Sequence, residues 1–285
     1  MIKINKLTKY YGKTLGVKNL SLEVKEGEVF GFIGPNGAGK STTIRCIMNL
    51  INRTEGEIFI NSKENDMNDL ELKKIIGYLP SEINLYEDMT VKEMIKYSAS
   101  FYDEDLTKRI KYLTSKFKLD NNKKIDELSF GNLKKLGIVL AFMHNPKILI
   151  LDEATNGLDP LMQNEFYDLI KEEKAKGTTV FFSTHNLSEI KKVCDRVGII
   201  KEGKLIKVSD VSSLSEDLFL IVNIESDEIN KIDIKCKIIE KKEDNIKFIY
   251  SEDINELITK LSNINIKKIT VEEPSIEDIF KHYYE

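Results

Sequence analysis

Apolar positions along this chain keep several different rhythms. Short, almost unbroken apolar runs occur at EVFGFIG (28–34), KILILD (147–152) and TTVFFST (178–184). They are dense in β-favouring residues, as strands buried on both faces should be. Between them lie stretches with helical spacing, such as LMQNEFYDLIKEEKAKG, which stops at Gly177. Strands alternating with helices predict an α/β domain over about residues 1–210, with a mainly parallel sheet faced by helices. The first twenty residues alternate more plainly, and TEGEIFINSKE (54–64) reads as an antiparallel edge piece.

Residues 84–145 break the pattern. TVKEMIKYSASFY and DLTKRIKYLTSKFKL are amphipathic helical stretches with little strand signal between them, which predicts an inserted helical subdomain. Its final helix is expected to start near Ser129, as N-cap, and to run through NLKKLGIVLAFMH to Pro146. Beyond about Asp210 the rhythm changes again. LFLIVNI and NIKFIY read as strands, KCKIIE pairs with the latter across KKEDN, and IKKITVE supplies another strand. In INELITKLSN, Ile254, Leu257, Ile258 and Leu261 share a helical stripe, and a further helix is expected after Pro274. This order over residues 211–285 suits a small α+β accessory module of ferredoxin-like type, expected to dock on the main domain.

Composition changes this picture little. Of 285 residues 41% are apolar, which suffices for a proper core, and the net charge of -4 lacks the basic footprint of a generic nucleic-acid binder. Cys46, Cys194 and Cys236 are scattered and form neither a metal pattern nor a disulfide framework, which fits a reducing compartment. MIKINKLTKY lacks the apolar core of a signal peptide, and no run approaches the roughly 18 apolar residues of a membrane span. Any membrane span would therefore come from another chain.

The chemistry concentrates in GPNGAGKST, residues 34–42. Gly34, Gly39, Lys40 and Ser41 satisfy G-x-x-x-x-G-K-[ST], preceded by a strand and followed by a helix. Glycines let the backbone wrap an anion with its N–H groups, and the helix start adds its positive end. Lys40 is expected to reach the β- and γ-phosphates of a nucleotide and Ser41 to bind Mg2+. A phosphate loop alone leaves kinase, GTPase and ATPase open. ILILDE begins to separate them: Asp152 can hold Mg2+ through water, and Glu153 can take the proton of an attacking water.

With these motifs in this order, residues 1–210 resemble the ATP-binding subunit of an ABC transporter. The resemblance implies a P-loop NTPase fold of ABC type with ATP and Mg2+ as cofactors. It makes Gly34, Pro35, Asn36, Gly37, Ala38, Gly39, Lys40, Ser41 and Thr42 the Walker A loop, and Leu149–Glu153 the Walker B strand with its catalytic glutamate. Tyr11, before Gly12, looks like the aromatic residue that stacks on adenine. Asn156–Asp159 resemble the D-loop, whose aspartate Asp159 crosses a dimer interface, and His185 resembles the switch histidine that contacts the γ-phosphate.

Two departures stand out. The signature segment reads LSFGN where the family usually shows LSGGQ; Ser129 and Gly131 are kept, while Phe130 and Asn132 differ. In the family that segment contacts ATP held by the other subunit, so a homodimer or heterodimer is implied. Ser81 stands where the family places a glutamine that approaches Mg2+ and the water; the shorter side chain would act there through an intervening water. EEPSIEDIFKHYY resembles the ending of subunits paired with ABC-2-type exporter permeases. The expected function is thus to hydrolyse ATP for a separate transmembrane permease, as a peripheral protein at the cytoplasmic face. The alternative is a non-transport ABC ATPase on ribosomes or nucleic acid. Against it, the chain holds one ATPase half and its insert is too short for long coiled coils.

Overall fold

The computed structural model describes residues 1–65, 69–216, 219–232, 236–272 and 274. The chain divides into two compact units, Met1–Val211 and Ser212–Glu285. In chain order the first unit contains β1 (Ile2–Tyr11), β2 (Thr14–Val24), β3 (Val29–Ile33), α1 (Lys40–Ile47), β4 (Glu55–Ile60) and β5 (Lys63–Glu64). It continues with α2 (Leu70–Lys74), β6 (Ile76–Leu79), α3 (Val91–Ala99), α4 (Thr107–Lys116), α5 (Phe130–Phe142) and β7 (Ile148–Asp152). Then follow α6 (Pro160–Ala175), β8 (Thr179–Thr184), α7 (Leu187–Val193), β9 (Arg196–Lys201) and β10 (Lys204–Asp210); α8 (Val211–Glu216) starts at this unit's last residue and continues into the second.

Two sheets organise this unit. The larger has the order β10-β9-β3-β8-β7-β6, parallel except for β10. Every residue of β3, β7 and β8 is buried, which is why these strands read as unbroken apolar runs. The smaller sheet, β2-β1-β4-β5, is antiparallel. The segment 54–64, expected as an antiparallel edge piece, forms the β4–β5 pair, with the two-residue β5 at the edge and β4 one place inside. Ile44 and Ile47 of α1 join Ile4 and Ile58 from the smaller sheet and Phe32, Ile150 and Phe181 from the larger in one core. Ala38 belongs to the same core, so the 34–42 loop is seated on it.

In the helical region, α5 packs against α3, α4 and β6. Ser129 caps it, its Oγ accepting the Asn132 amide at 3.4 Å. The helix ends at Phe142 rather than near Pro146. Pro146 disfavours helical geometry at the preceding residue, and Asn145 is left-handed at φ 48°. Between these points His144 stacks on Tyr102 with centroids 4.3 Å apart, and its Nε2 lies 3.3 Å from the Ile76 carbonyl. Its Nδ1 is buried without a hydrogen-bond partner. Burial pushes the His144 pKa down from 6.5 to about 4, against the pull of the Ile76 and Leu140 carbonyls. Between these values the unfolded chain takes up a proton that the folded chain refuses. The stability is therefore present above pH 6.5 and lost as pH falls toward 4, by roughly 3 kcal/mol. Urea unfolding across this range should show the slope, and His144→Phe should flatten it.

The second unit contains β11 (Leu220–Glu225), β12 (Lys237–Lys241), β13 (Asn245–Tyr250), α9 (Ile254–Leu261) and β14 (Lys268–Glu272). Its sheet has the order β12-β13-β11-β14 and is antiparallel throughout, the strand order of a split βαβ module. A 3-10 turn at Ile229–Lys231 stands between β11 and β12. Leu257 and Leu261 bury against Val222, Phe248 and Tyr250, but Ile258 is 58% exposed. The apolar stripe of α9 is thus narrower than its sequence suggests. The helix expected after Pro274 lies outside the described residues. Among the described residues no helix is long and apolar enough to cross a membrane.

Candidate nucleotide site

The loop between β3 and α1 forms a cradle. A Cβ on Gly34 would come within 2.3 Å of the Ile200 carbonyl oxygen, so the loop leaves β3 through a space that admits only glycine. At the start of α1, Gly39 has φ 106°, and a Cβ there would meet the Gly16 carbonyl oxygen at 2.7 Å. Ala38 N–H bonds the Pro35 carbonyl at 3.1 Å, and Thr43 closes the first helical turn on the Gly39 carbonyl through both its N–H and its hydroxyl. Tyr11, Leu15 and Gly16 wall one side; Asn36, Gly37 and Gly39–Thr42 wall the other; Glu153 reaches in from the end of β7. Tyr11 is 45% exposed at the rim, with the Lys9 ammonium 5.1 Å from its ring centre.

Lys40 is buried and fully engaged. Its Nζ donates to the Gly34 carbonyl at 2.7 Å and the Pro35 carbonyl at 3.2 Å, and lies 3.2 Å from Oε1 of Glu153. The other Glu153 oxygen, Oε2, accepts from Asn156 Nδ2 at 2.6 Å and from His185 Nδ1 at 3.0 Å. An ionised carboxylate only accepts, so this geometry places the imidazole proton on Nδ1. Burial alone raises the Glu153 pKa, but Lys40, Asn156 and His185 outweigh it and hold the carboxyl below its ordinary value. Its backbone is left-handed at φ 49°, a strained position for glutamate that turns the side chain back over the loop. The Glu153 N–H bonds Ser183, whose hydroxyl donates to Oδ1 of the buried Asp152 at 2.6 Å.

Tyr11, Asn36, Gly37, Gly39–Thr42 and Glu153 line one cradle, and His185 meets it through Glu153; Asp152 does not line it but is buried against Ser183. Ser81 does not line the cradle; its carbonyl, 3.0 Å away, accepts from Lys134 instead. Ser129 and Gly131 sit at the start of α5, and Asp159 caps α6, accepting the Met162 amide at 3.0 Å. None of these three lines this chain's cradle. Phe130 is 58% exposed, and its ring occupies the space where a Cβ on Gly157 would stand, so it packs on the segment after Glu153.

Two groups, Ser183 and Glu189, escape the sequence reading, and Asn156 enters it only within the 156–159 segment. Asn156 follows Glu153 by one turn, Ser183 stands opposite Asp152 in register on β8, and Glu189 lies on α7. Buried Glu189 accepts from the hydroxyls of Thr155 (2.7 Å), Tyr167 (3.1 Å) and Thr184 (2.6 Å). It thereby ties the segment after Glu153 to the residue before His185. Only the strand register and the short chain distances pointed to these contacts. The sequence pattern N-K-x-D, which selects guanine in GTPases, occurs at 230–233, in the second unit rather than in the unit that carries the cradle.

Residues 17–156 match the family described as ABC transporter. An uncharacterized ABC transporter ATP-binding protein of Methanocaldococcus jannaschii is 36% identical over 90% of this chain and 97% of its own length. The chain belongs to the ABC transporter ATP-binding family. The bacitracin transport ATP-binding protein of Bacillus licheniformis is 34% identical over 98% of this chain and 96% of its own. The structure of an ATP-binding subunit of an ABC transporter matches with a TM-score of 0.70 and 29% identity, covering 76% of this chain and 92% of that one. A dimeric ATP-binding cassette in a post-hydrolysis state, bound to ADP and Pi, matches with a TM-score of 0.67, covering 74% and 99%. This ABC chain is therefore an ATP-binding subunit of a transporter, from a family whose general activity is ATP hydrolysis. Such subunits dimerise and work with transmembrane permeases. The nucleic-acid alternative finds no support among these relatives.

Proposed function

We propose that this chain is a Mg2+-dependent ATPase that drives a separate permease, in the export direction, from the cytoplasmic face of the membrane. The observation that carries the catalytic reading is Glu153: strained, ionised, and shared between Lys40 at 3.2 Å and His185 at 3.0 Å. ATP entering the cradle competes with Glu153 and two carbonyls for the Lys40 ammonium. Once Lys40 turns to the β- and γ-phosphates, Glu153 is free to orient a water and take its proton. The water oxygen bonds to the γ-phosphorus, the bond to the bridging oxygen breaks, and ADP leaves with that electron pair. His185 holds the carboxylate and contacts the transferred phosphate. The Ser41 hydroxyl and Asp152 carboxylate are hard oxygen donors that suit Mg2+, which takes one or two protein carboxylates beside substrate phosphates. When bound, Mg2+ neutralises charge developing on the phosphates.

Ser129 and Gly131 belong, on this reading, to the γ-phosphate of ATP held by a second ABC subunit, identical or related, and Asp159 joins the two sites. That none of the three lines this chain's own cradle supports that division, and the head-to-tail pair is compatible with two-fold closure. We take residues 1–210 as the ATPase domain, with its helical subdomain at about 84–145, and 211–285 as an accessory module. Relatives named for bacitracin transport, linearmycin resistance and lantibiotic transport support export. Reconstituted with its permease in inverted vesicles, the chain should support uptake that needs both ATP and Mg2+. A stable complex with ribosomes and none with membrane protein would contradict this. Ser81→Ala should hydrolyse ATP within about threefold of the parent, because its side chain lies outside the cradle and general-base help is kept. Steady-state phosphate release measures this.

A further inference from the structure

Lys134 is a buried charge that the reaction above does not use. It lies on α5, 1% exposed, and donates to the carbonyls of Pro80 at 3.3 Å and Ser81 at 3.0 Å. It takes part in no ion pair among the described residues, and an ammonium with two acceptors still has a donor to spare. Burial lowers its pKa, while Asp152 and Glu153 act to keep it charged, so it lies in the field of the carboxylates that end β7. An apolar side chain would fill this space without the cost of burying a charge, yet lysine is present. The turn that it grips leaves β6, and β6 pairs directly with β7. One side chain therefore spans from the helix begun by Ser129 to the turn beside Asp152 and Glu153.

We propose that Lys134 is a positioning residue for ATP hydrolysis, fixing the Pro80–Ser81 turn to the signature helix through the turn's backbone carbonyls. Movement of α5 against a partner subunit is then passed to the edge of the nucleotide site. The proposal rests on the reading of Glu153 as the base.

The test uses the full chain with Mg2+-ATP, comparing the parent, Lys134→Met, which removes the donors, and Lys134→Gln, which keeps two. Lys134→Met should lower kcat about tenfold with KM within about twofold, and Lys134→Gln should recover to within about threefold of the parent. Hydrogen exchange at the amides of Ser81, Glu82 and Ile83 should quicken in Lys134→Met. A folded Lys134→Met protein with parental kcat and exchange would overturn the proposal. So would a kcat loss that travels with ATP affinity and thermal midpoint and is not rescued by Gln, since that marks a purely structural role. A parent whose turnover does not depend on Glu153 would instead sink the reading beneath it, and the proposal with it. Should Lys134→Met not fold, Lys134→Gln decides: faster exchange at 81–83 with a modest kcat loss supports the tie, and parental values in both overturn it.

Discussion

Glu153→Gln protein should bind Mg2+-ATP, hydrolyse it at least about a hundredfold more slowly than the parent, and accumulate as a dimer. Glutamine keeps the length of the side chain and an oxygen able to accept from Asn156 or His185. It cannot take a proton from water, and it no longer pairs as an anion with Lys40, now 3.2 Å away. Binding of ATP therefore loses a competitor while the chemical step loses its base. The two effects point in opposite directions, which makes the variant diagnostic. Single-turnover phosphate release reads the chemical step, and light scattering with saturating ATP reads the association state. A monomer under those conditions would contradict the composite site.

Lys40→Ala should weaken ATP binding by about ten- to hundredfold, the worth of a charge-assisted contact to phosphate. Turnover should fall further, because charge that develops on the γ-phosphate loses its nearest cation. The substitution also leaves the Glu153 carboxylate without the ammonium that chiefly offsets its burial. In the nucleotide-free protein its pKa should therefore rise, so kcat/KM should fail at a higher pH than in the parent. Fluorescent-nucleotide titration gives the affinity, and the pH–rate profile gives the second effect. Unchanged affinity would mean that the ammonium does not reach the phosphates.

The parallel sheet was legible because β3, β7 and β8 are buried on both faces and leave an unmistakable apolar signature. The phosphate loop was legible because its glycines answer local needs of the backbone, as the close approaches at Gly34 and Gly39 show. Features that depend on long-range contact were harder to read. The interior place of β4 follows from a two-residue partner too short to register as a strand. The end of α5 follows from Pro146 acting on Asn145, a constraint written in the sequence but outweighed there by the apolar run before it. Ser183, Asn156 and Glu189 are ordinary residues made special by strand register and one tight turn. Nothing in the sequence marks Lys134, and only its place against Pro80 and Ser81 reveals it as a buried charge.

The most direct measurement is the structure of the Glu153→Gln protein with Mg2+-ATP bound. The account predicts two head-to-tail chains, with each γ-phosphate within hydrogen-bond reach of Lys40 from one chain and Ser129 from the other. ATP seated in the cradle of a lone chain, or between chains with Ser129 remote from every nucleotide, would contradict it.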